Sequence, residues 1–202
     1  MGDTQLEVEV KFLTADLAGF RQRLLAAGAV LKGARVFERN VVFDTPDKHL
    51  LHSGKLLRLR QDKAVRVTFK GEVAKASQSE AKVREELEIN VSDFGTTAVI
   101  FQRLGFNPVL AYEKYRETFF LDNVEVVLDE MPYGDFVEIE GEEAGIKTAV
   151  SRLNLPWDKR LITNYLKLMV DLKAYHQLDF DDLTFANFEG LDISVADIAP
   201  AI

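Results

Sequence analysis

The most constraining feature of this sequence is the alternation of residues 6–12. Leu6, Val8, Val10 and Phe12 are apolar, and Glu7, Glu9 and Lys11 between them are charged. A period of two is the signature of a β-strand with unlike faces. Comparable runs cover about residues 34–43, 55–61, 64–71, 82–91, 114–121, 124–130 and 136–141, which predicts some eight strands. Asp122-Asn123 and Gln61-Asp62-Lys63 are compact turns between such runs, and short turns imply antiparallel pairing.

Helical patterns lie between the strands. Thr14 is positioned to cap a helix reaching Ala27, with Leu17, Phe20, Leu24 and Leu25 on one face and Gly28 as the stop. Ser92 is positioned to cap a second, with Phe94, Phe101 and Leu104 turned inward. Residues 142–153 and 163–175 read as a third and a fourth, and residues 71–81 as a mobile loop.

The polar faces of the strands hold the functional signal, because residues two apart project from one side. They carry Glu7, Glu9 and Lys11; Arg58 and Arg60; Arg66, Thr68 and Lys70; Arg84, Glu86 and Glu88; Lys114 and Arg116; Asp129; Glu138 and Glu140. A merely wet sheet face would be richer in Ser, Asn and Gln, and here the two signs are sorted strand by strand. Eight strands can close into a barrel, with helices packed outside on the apolar face and the charges lining the interior. The predicted class is therefore α+β, a closed eight-stranded antiparallel β-barrel. Enclosed charge is costly unless it is paired or binds ions. Carboxylate clusters suit Mg²⁺ or Mn²⁺, and Arg/Lys clusters suit phosphate oxygens. Together they describe a site for a metal-bound polyphosphate.

The net charge of −8, from 25 Lys+Arg and 33 Asp+Glu, points away from nucleic-acid backbones and membrane surfaces as partners. It is unevenly spread. Residues 174–202 hold six acids and no Lys or Arg, leaving 27 acids against 25 bases elsewhere. With no cysteine, disulfides, thiolate metal sites and cysteine nucleophiles are excluded. No apolar run approaches membrane-spanning length, and the N-terminus lacks a secretory pattern, so a cytoplasmic protein is expected.

The order of the charged blocks adds a resemblance. Glu7-Val8-Glu9-Val10-Lys11 resembles the ExExK signature of the CYTH family, the triphosphate tunnel metalloenzymes. Phe43-Asp44-Thr45-Pro46, Leu57-Arg58-Leu59-Arg60, Thr68-Phe69-Lys70-Gly71, Arg84-Glu85-Glu86-Leu87-Glu88, Lys114-Tyr115-Arg116, Leu128-Asp129 and the run from Gly134 to Gly141 resemble its further blocks in order. The resemblance spans about residues 5–172, so 1–175 are expected to form the tunnel domain and 176–202 an acidic tail of unplaced role.

By this resemblance, Arg58, Arg60, Lys70, Arg84, Lys114 and Arg116, joined by Lys11, would grip a triphosphate. Glu7, Glu9, Glu138 and Glu140 would hold one or two Mg²⁺ or Mn²⁺ ions, with Asp129, Glu86 and Glu88 as further candidates. Glu7, Glu9, Lys11, Glu138 and Glu140 form the catalytic set. Arg66 is an even choice between phosphate contact and surface, and Lys159 and Arg160 stand near the tunnel mouth. Arg35, Glu38 and Arg39 lie on a strand of unsettled register. His49, His52 and Trp157 have ordinary surface or packing roles.

The family groups class IV adenylate cyclases with thiamine and inorganic triphosphatases. A hydrolase directs water at the terminal phosphorus, whereas a cyclase directs the ribose 3′-hydroxyl at the α-phosphorus and releases pyrophosphate. Class IV cyclases carry a His-Phe pair shortly before ExExK, and the residues before Glu7 contain none. The stretches Tyr112–Arg116, Gly134–Glu140 and Thr163-Asn164-Tyr165 look cyclase-like in order. Triphosphate hydrolysis is the leading expectation, cyclic AMP formation the alternative, and non-catalytic polyphosphate binding the third. A monomer and a homodimer are equally open.

Overall fold

The computed structural model describes residues 5–73, 79–163, 165–199 and 201–202. Part of the expected loop at 71–81, and Asn164 of the cyclase-like stretch, lie outside the described residues.

Eight strands form: β1 (Gln5–Thr14), β2 (Val30–Asp44), β3 (Leu56–Gln61), β4 (Val65–Glu72), β5 (Lys82–Val91), β6 (Asn107–Leu121), β7 (Val124–Met131) and β8 (Gly134–Glu140). All neighbours are antiparallel, and the order β1-β5-β4-β3-β2-β6-β7-β8 closes on itself in a ring. The class is α+β, as expected. Asp122-Asn123 and Pro132-Tyr133 are both two-residue turns, with Leu121 facing Val124 across the first and Met131 facing Gly134 across the second. Asp122 takes φ 53°, a left-handed conformation that Asp tolerates better than most residues.

The outward residues of the strands are covered by helices. α1 (Leu17–Ala26) buries Phe20 and Leu24, and α4 (Glu143–Arg152) buries Ile146, Ala149 and Val150. Both sets join one apolar cluster with Val10 and Phe12 of β1, Val126 and Leu128 of β7, and Val137 and Ile139 of β8. α3 (Phe94–Arg103) lays Phe94 and Phe101 on Val41, Phe43 and Leu59. A short α2 (His49–His52) follows β2.

Three local expectations need correction. The cap of α1 is Asp16, not Thr14: its carboxylate accepts from the Gly19 N–H at 2.8 Å. The cap of α3 is Asp93, not Ser92. Leu104 is exposed, because α3 stops at Arg103 before its next inward turn.

One end of the ring is plugged. α5 (Tyr165–His176) and the following residues bring Leu168, Met169, Leu172, Leu183, Phe188 and Val195 against Leu13, Val42, Met131 and Phe136. The acidic segment is therefore strapped down. The Leu183 N–H donates to the Ala111 carbonyl at 2.8 Å, the Val195 N–H to Tyr133 at 2.8 Å, and the Ile202 N–H to Leu13 at 2.8 Å. Its acids face solvent while its apolar residues complete the core. α6 (Phe185–Phe188) sits in this strap.

Candidate active site

The interior of the ring holds a cavity of about 780 Å³. Strand periodicity turns Glu7, Glu9 and Lys11 of β1 into it, with Arg58 and Arg60 of β3, Lys70 of β4, Arg84, Glu86 and Glu88 of β5, Lys114 and Arg116 of β6, and Glu138 and Glu140 of β8. Of the residues singled out above as catalytic, substrate-binding or metal-binding, Asp129 alone does not line this space. It is fully buried behind the wall, where it accepts from Lys114 Nζ at 2.8 Å, Arg116 Nε at 2.7 Å and the Tyr165 hydroxyl at 3.1 Å.

The two signs are arranged in registers. Glu140 stands opposite Glu9 on one side and opposite Glu125 on the other, so three carboxylates run abreast across β1, β8 and β7. Like charges directly opposite each other destabilise a sheet. Burial, helped by Glu7 and Glu125, pushes the Glu140 carboxyl up to about 7. Burial also raises Glu7, although Lys70 opposes the rise. Glu9 is offset by Lys11 and Lys82 and Glu125 by Lys32, so among the described residues Glu140 is the member of the row without an ion-pair partner.

Across the cavity lies a basic bank. Arg58 donates to the Tyr112 hydroxyl at 3.1 Å and to Thr68 at 3.0 Å, and Arg60 donates to the Asn40 side-chain oxygen at 3.1 Å. These partners are neutral. Arg60 has Glu38 at 3.6 Å as its nearest carboxylate, and Arg58 has Glu88 at 3.8 Å. Burial and then the Arg58 charge depress Arg60. Burial alone would raise the Tyr112 hydroxyl, yet Arg58, Lys114 and Arg60 bring it below its ordinary value. The Arg58 Nε and the Asn40 side-chain amide nitrogen have no partner.

Several carboxylates are tied to amines. Glu7 accepts from Lys70 Nζ at 2.5 and 2.6 Å, and Glu9 from Lys82 Nζ at 2.6 Å and Lys11 Nζ at 3.3 Å. Glu138 meets Lys11 at 3.0 Å and Arg116 at 2.8 Å. Burial would raise Glu9, but Lys11 and Lys82 hold it down at about 2 despite the Glu138 charge beside it. Among the described residues no three Asp, Glu or His side chains are gathered into ready metal-holding geometry. The donor chemistry nevertheless suits a hard divalent cation. Glu140, with Glu7 and Glu86 adding their charge to it, offers oxygen donors that no ion pair engages among the described residues.

Other candidates fall outside the cavity. Arg66 is held by Asp62, with Glu88 at 3.5 Å. Lys159 donates to the Ala201 carbonyl, and Arg160 packs over Trp157 while donating to Glu80. Arg35 pairs with Glu130 in solvent.

Four further groups belong to the site: Lys82 and Glu125 carry no sequence expectation, whereas Glu38 is expected on a strand of unsettled register and Tyr165 within a cyclase-like stretch. Lys82 lines the cavity and was legible as the continuation of Arg84 and Glu86 by period two. Glu125 precedes Asp129 on the same face of β7. Glu38 is buried beside Arg60 and Lys114, within the stretch Val36–Val42 that pairs regularly with β6. Tyr165 sets its ring 5.0 Å from Lys11 Nζ and 5.5 Å from Lys114 Nζ. No strand pattern marks a residue that arrives from a helix.

Residues 5–152 match the CYTH domain. The chain belongs to the CYTH family. A Methanocaldococcus jannaschii protein, named as a candidate adenylate cyclase, is 27% identical over 176 residues, which cover 81% of this chain and 98% of that protein. Adenylate cyclase CyaB of Aeromonas hydrophila is 30% identical over 139 residues, 67% of this chain and 68% of its own length. Among solved structures, a candidate adenylyl cyclase of Hippeastrum described with a dominant triphosphatase activity superposes with a TM-score of 0.56. It is 16% identical and covers 82% of this chain and 93% of its own. No helix of the described residues is long and apolar enough to cross a membrane.

Proposed function

We propose that this CYTH protein catalyses divalent-metal-dependent phosphoryl transfer on a small-molecule triphosphate held in the ring interior, a charged tunnel, and that the outcome is hydrolysis. One observation carries the reading: a row of carboxylates centred on Glu140, which has no ion-pair partner among the described residues, and a bank of arginines whose hydrogen-bond partners are neutral share one cavity. A binder of anions alone would gain nothing from Glu9, Glu140 and Glu125 abreast beside its ligand, which argues against the non-catalytic alternative.

Arg58, Arg60, Lys114 and Arg116 bind phosphate oxygens, the arginines in forked geometry. Asp129 and Tyr165 hold Lys114 and Arg116 in place. Glu7, Glu9, Glu86, Glu138 and Glu140 would hold Mg²⁺ or Mn²⁺, which supplies charge neutralisation on the phosphate oxygens. The carboxylate row orients the attacking water, and the apolar plug excludes bulk water from one end. Phosphoryl transfer needs this positioning more than covalent chemistry. Hydrolysis is supported by the triphosphatase activity described for the Hippeastrum protein of the same fold.

The names of the archaeal and Aeromonas relatives favour a second reading, ATP cyclisation. Incubation with tripolyphosphate, thiamine triphosphate and ATP in Mg²⁺ or Mn²⁺ separates the two. Orthophosphate release is expected. Cyclic AMP with pyrophosphate as the main products would replace hydrolysis by cyclisation, and no turnover of any of the three would leave a binder.

A further inference from the structure

Lys82 is given no role in phosphate or metal binding above, yet it sits opposite Glu9 in the β1–β5 register and lines the cavity. Its Nζ lies 2.6 Å from Glu9, and Lys70 Nζ lies 2.5 Å from Glu7 and 3.2 Å from Glu86. These two lysines thus occupy carboxylates proposed for the metal.

They differ from the other amines in the site. Lys11 is clamped between Glu9 and Glu138 and only 2% of its side chain is exposed; Lys114 is held by Asp129 at 3%. Lys82 and Lys70 retain 17% and 13% exposure, toward the cavity. An ammonium on a four-carbon stem is a point charge that can swing away, whereas a forked guanidinium is fixed by its geometry. A dication arriving at Glu7 and Glu9 would meet two ammonium groups already within 2.6 Å of those carboxylates, and the mutual repulsion favours their departure. The displaced amines would find new partners in phosphate oxygens.

We propose that Lys82 and Lys70 are exchangeable internal counter-ions: they neutralise Glu9 and Glu7 until a divalent cation replaces them, and they then turn to the triphosphate. The inference rests on the phosphoryl-transfer reading for the identity of the ligands. It makes metal and anion binding mutually favourable, and such coupling is reciprocal.

The test is Mn²⁺ binding to the full chain without anion, read from the loss of the free-ion EPR signal, in wild type, Lys82→Met and Lys82→Arg. Removing the competing cation should tighten Mn²⁺ by about tenfold, and Lys82→Arg should stay near wild type or bind more weakly. With saturating Mn²⁺, Lys82→Met should raise KM for tripolyphosphate several-fold, so that metal and anion affinities move in opposite directions. A purely structural lysine would not produce that split. Circular dichroism melts identify a variant that fails to fold, and Lys70→Met then supplies the same comparison. Unchanged or weaker Mn²⁺ binding in folded Lys82→Met would overturn the proposal while leaving the phosphoryl-transfer reading standing. Wild type that binds Mn²⁺ but turns over no triphosphate would overturn the functional reading, and the Mn²⁺ comparison would still decide the counter-ions.

Discussion

Replacing Asp129 by Asn removes one charge from a fully buried site without changing its shape. The carboxylate accepts from Lys114 at 2.8 Å and from Arg116 at 2.7 Å, and the Tyr165 hydroxyl approaches it at 3.1 Å. Breaking a buried ion pair from one side costs about 3–5 kcal/mol, because the partner stays buried and uncompensated. Here the lower end applies. Arg116 keeps Glu138 at 2.8 Å, and Lys114 keeps Glu38 at 3.8 Å. The expected loss is about 3 kcal/mol in urea unfolding, or roughly 6–12 °C in Tm for a chain of this size. The surplus positive charge should also favour an anion. Metal-free tripolyphosphate should therefore raise the Tm of Asp129→Asn by more than it raises that of wild type. A loss below about 1 kcal/mol, or equal anion shifts in both proteins, would refute Asp129 as the counter-charge that holds Lys114 and Arg116.

Glu140 gives a pH prediction. Its carboxyl is raised from an ordinary 4.5 to about 7, first by burial and then by Glu7 and Glu125. The folded state then binds the proton more tightly than the unfolded one, so this contribution to stability is full below pH 4.5 and is lost as pH rises through 7. Glu140→Gln should be more stable than wild type at pH 8 by about 2 kcal/mol, discounted for partial solvation, and the gap should vanish near pH 4.5; a pH-independent difference would contradict the charge-row account. Arg60→Ala should raise KM for triphosphate by roughly ten- to a hundredfold, the range of a charged hydrogen bond, and unchanged steady-state constants would return Arg60 to a structural role. Glu9→Gln should abolish Mn²⁺-dependent turnover, and near wild-type rates would remove Glu9 from the metal set. Truncation after His176 removes Leu183, Phe188 and Val195, whose burial against Tyr112, Met131 and Tyr133 is worth about 1.5–3 kcal/mol each; a shortened chain with an unchanged melting curve would show that the strap adds nothing to the core.

The interior was legible wherever strands are regular. On β1, β3, β5, β6 and β8 a period of two sends every second side chain inward, so Glu7, Arg58, Glu86, Lys114 and Glu138 could be read from spacing alone. β2 defeats that reading. Register shifts between Leu31 and Gly33, Gly33 and Val36, and Val42 and Phe43 flank a regular stretch in which Glu38 and Asn40 are buried, but charged Glu38 and Arg39 stand on opposite faces of it, so polarity alone does not mark the inward side. The strap was illegible for another reason. Leu183, Phe188 and Val195 have no periodicity of their own, because each fills a gap left by residues more than forty positions away in sequence, such as Tyr112 and Tyr133. Asp129 shows how far spacing reaches. It shares the face of the other carboxylates, but only its surroundings reveal that it is sealed behind two cations and a tyrosine.

The plug built from Tyr165, Leu168, Met169 and the strap has a consequence for traffic. A pore open at both ends can thread a long polymer and work along it. A cup cannot. Any anion that enters this cavity end-first must leave by the same rim, so the wall at Phe136 and Tyr165 acts as a ruler. If the proposed hydrolysis holds, a polyphosphate longer than the cup is trimmed at its tip and released after each event, and its bulk never passes through.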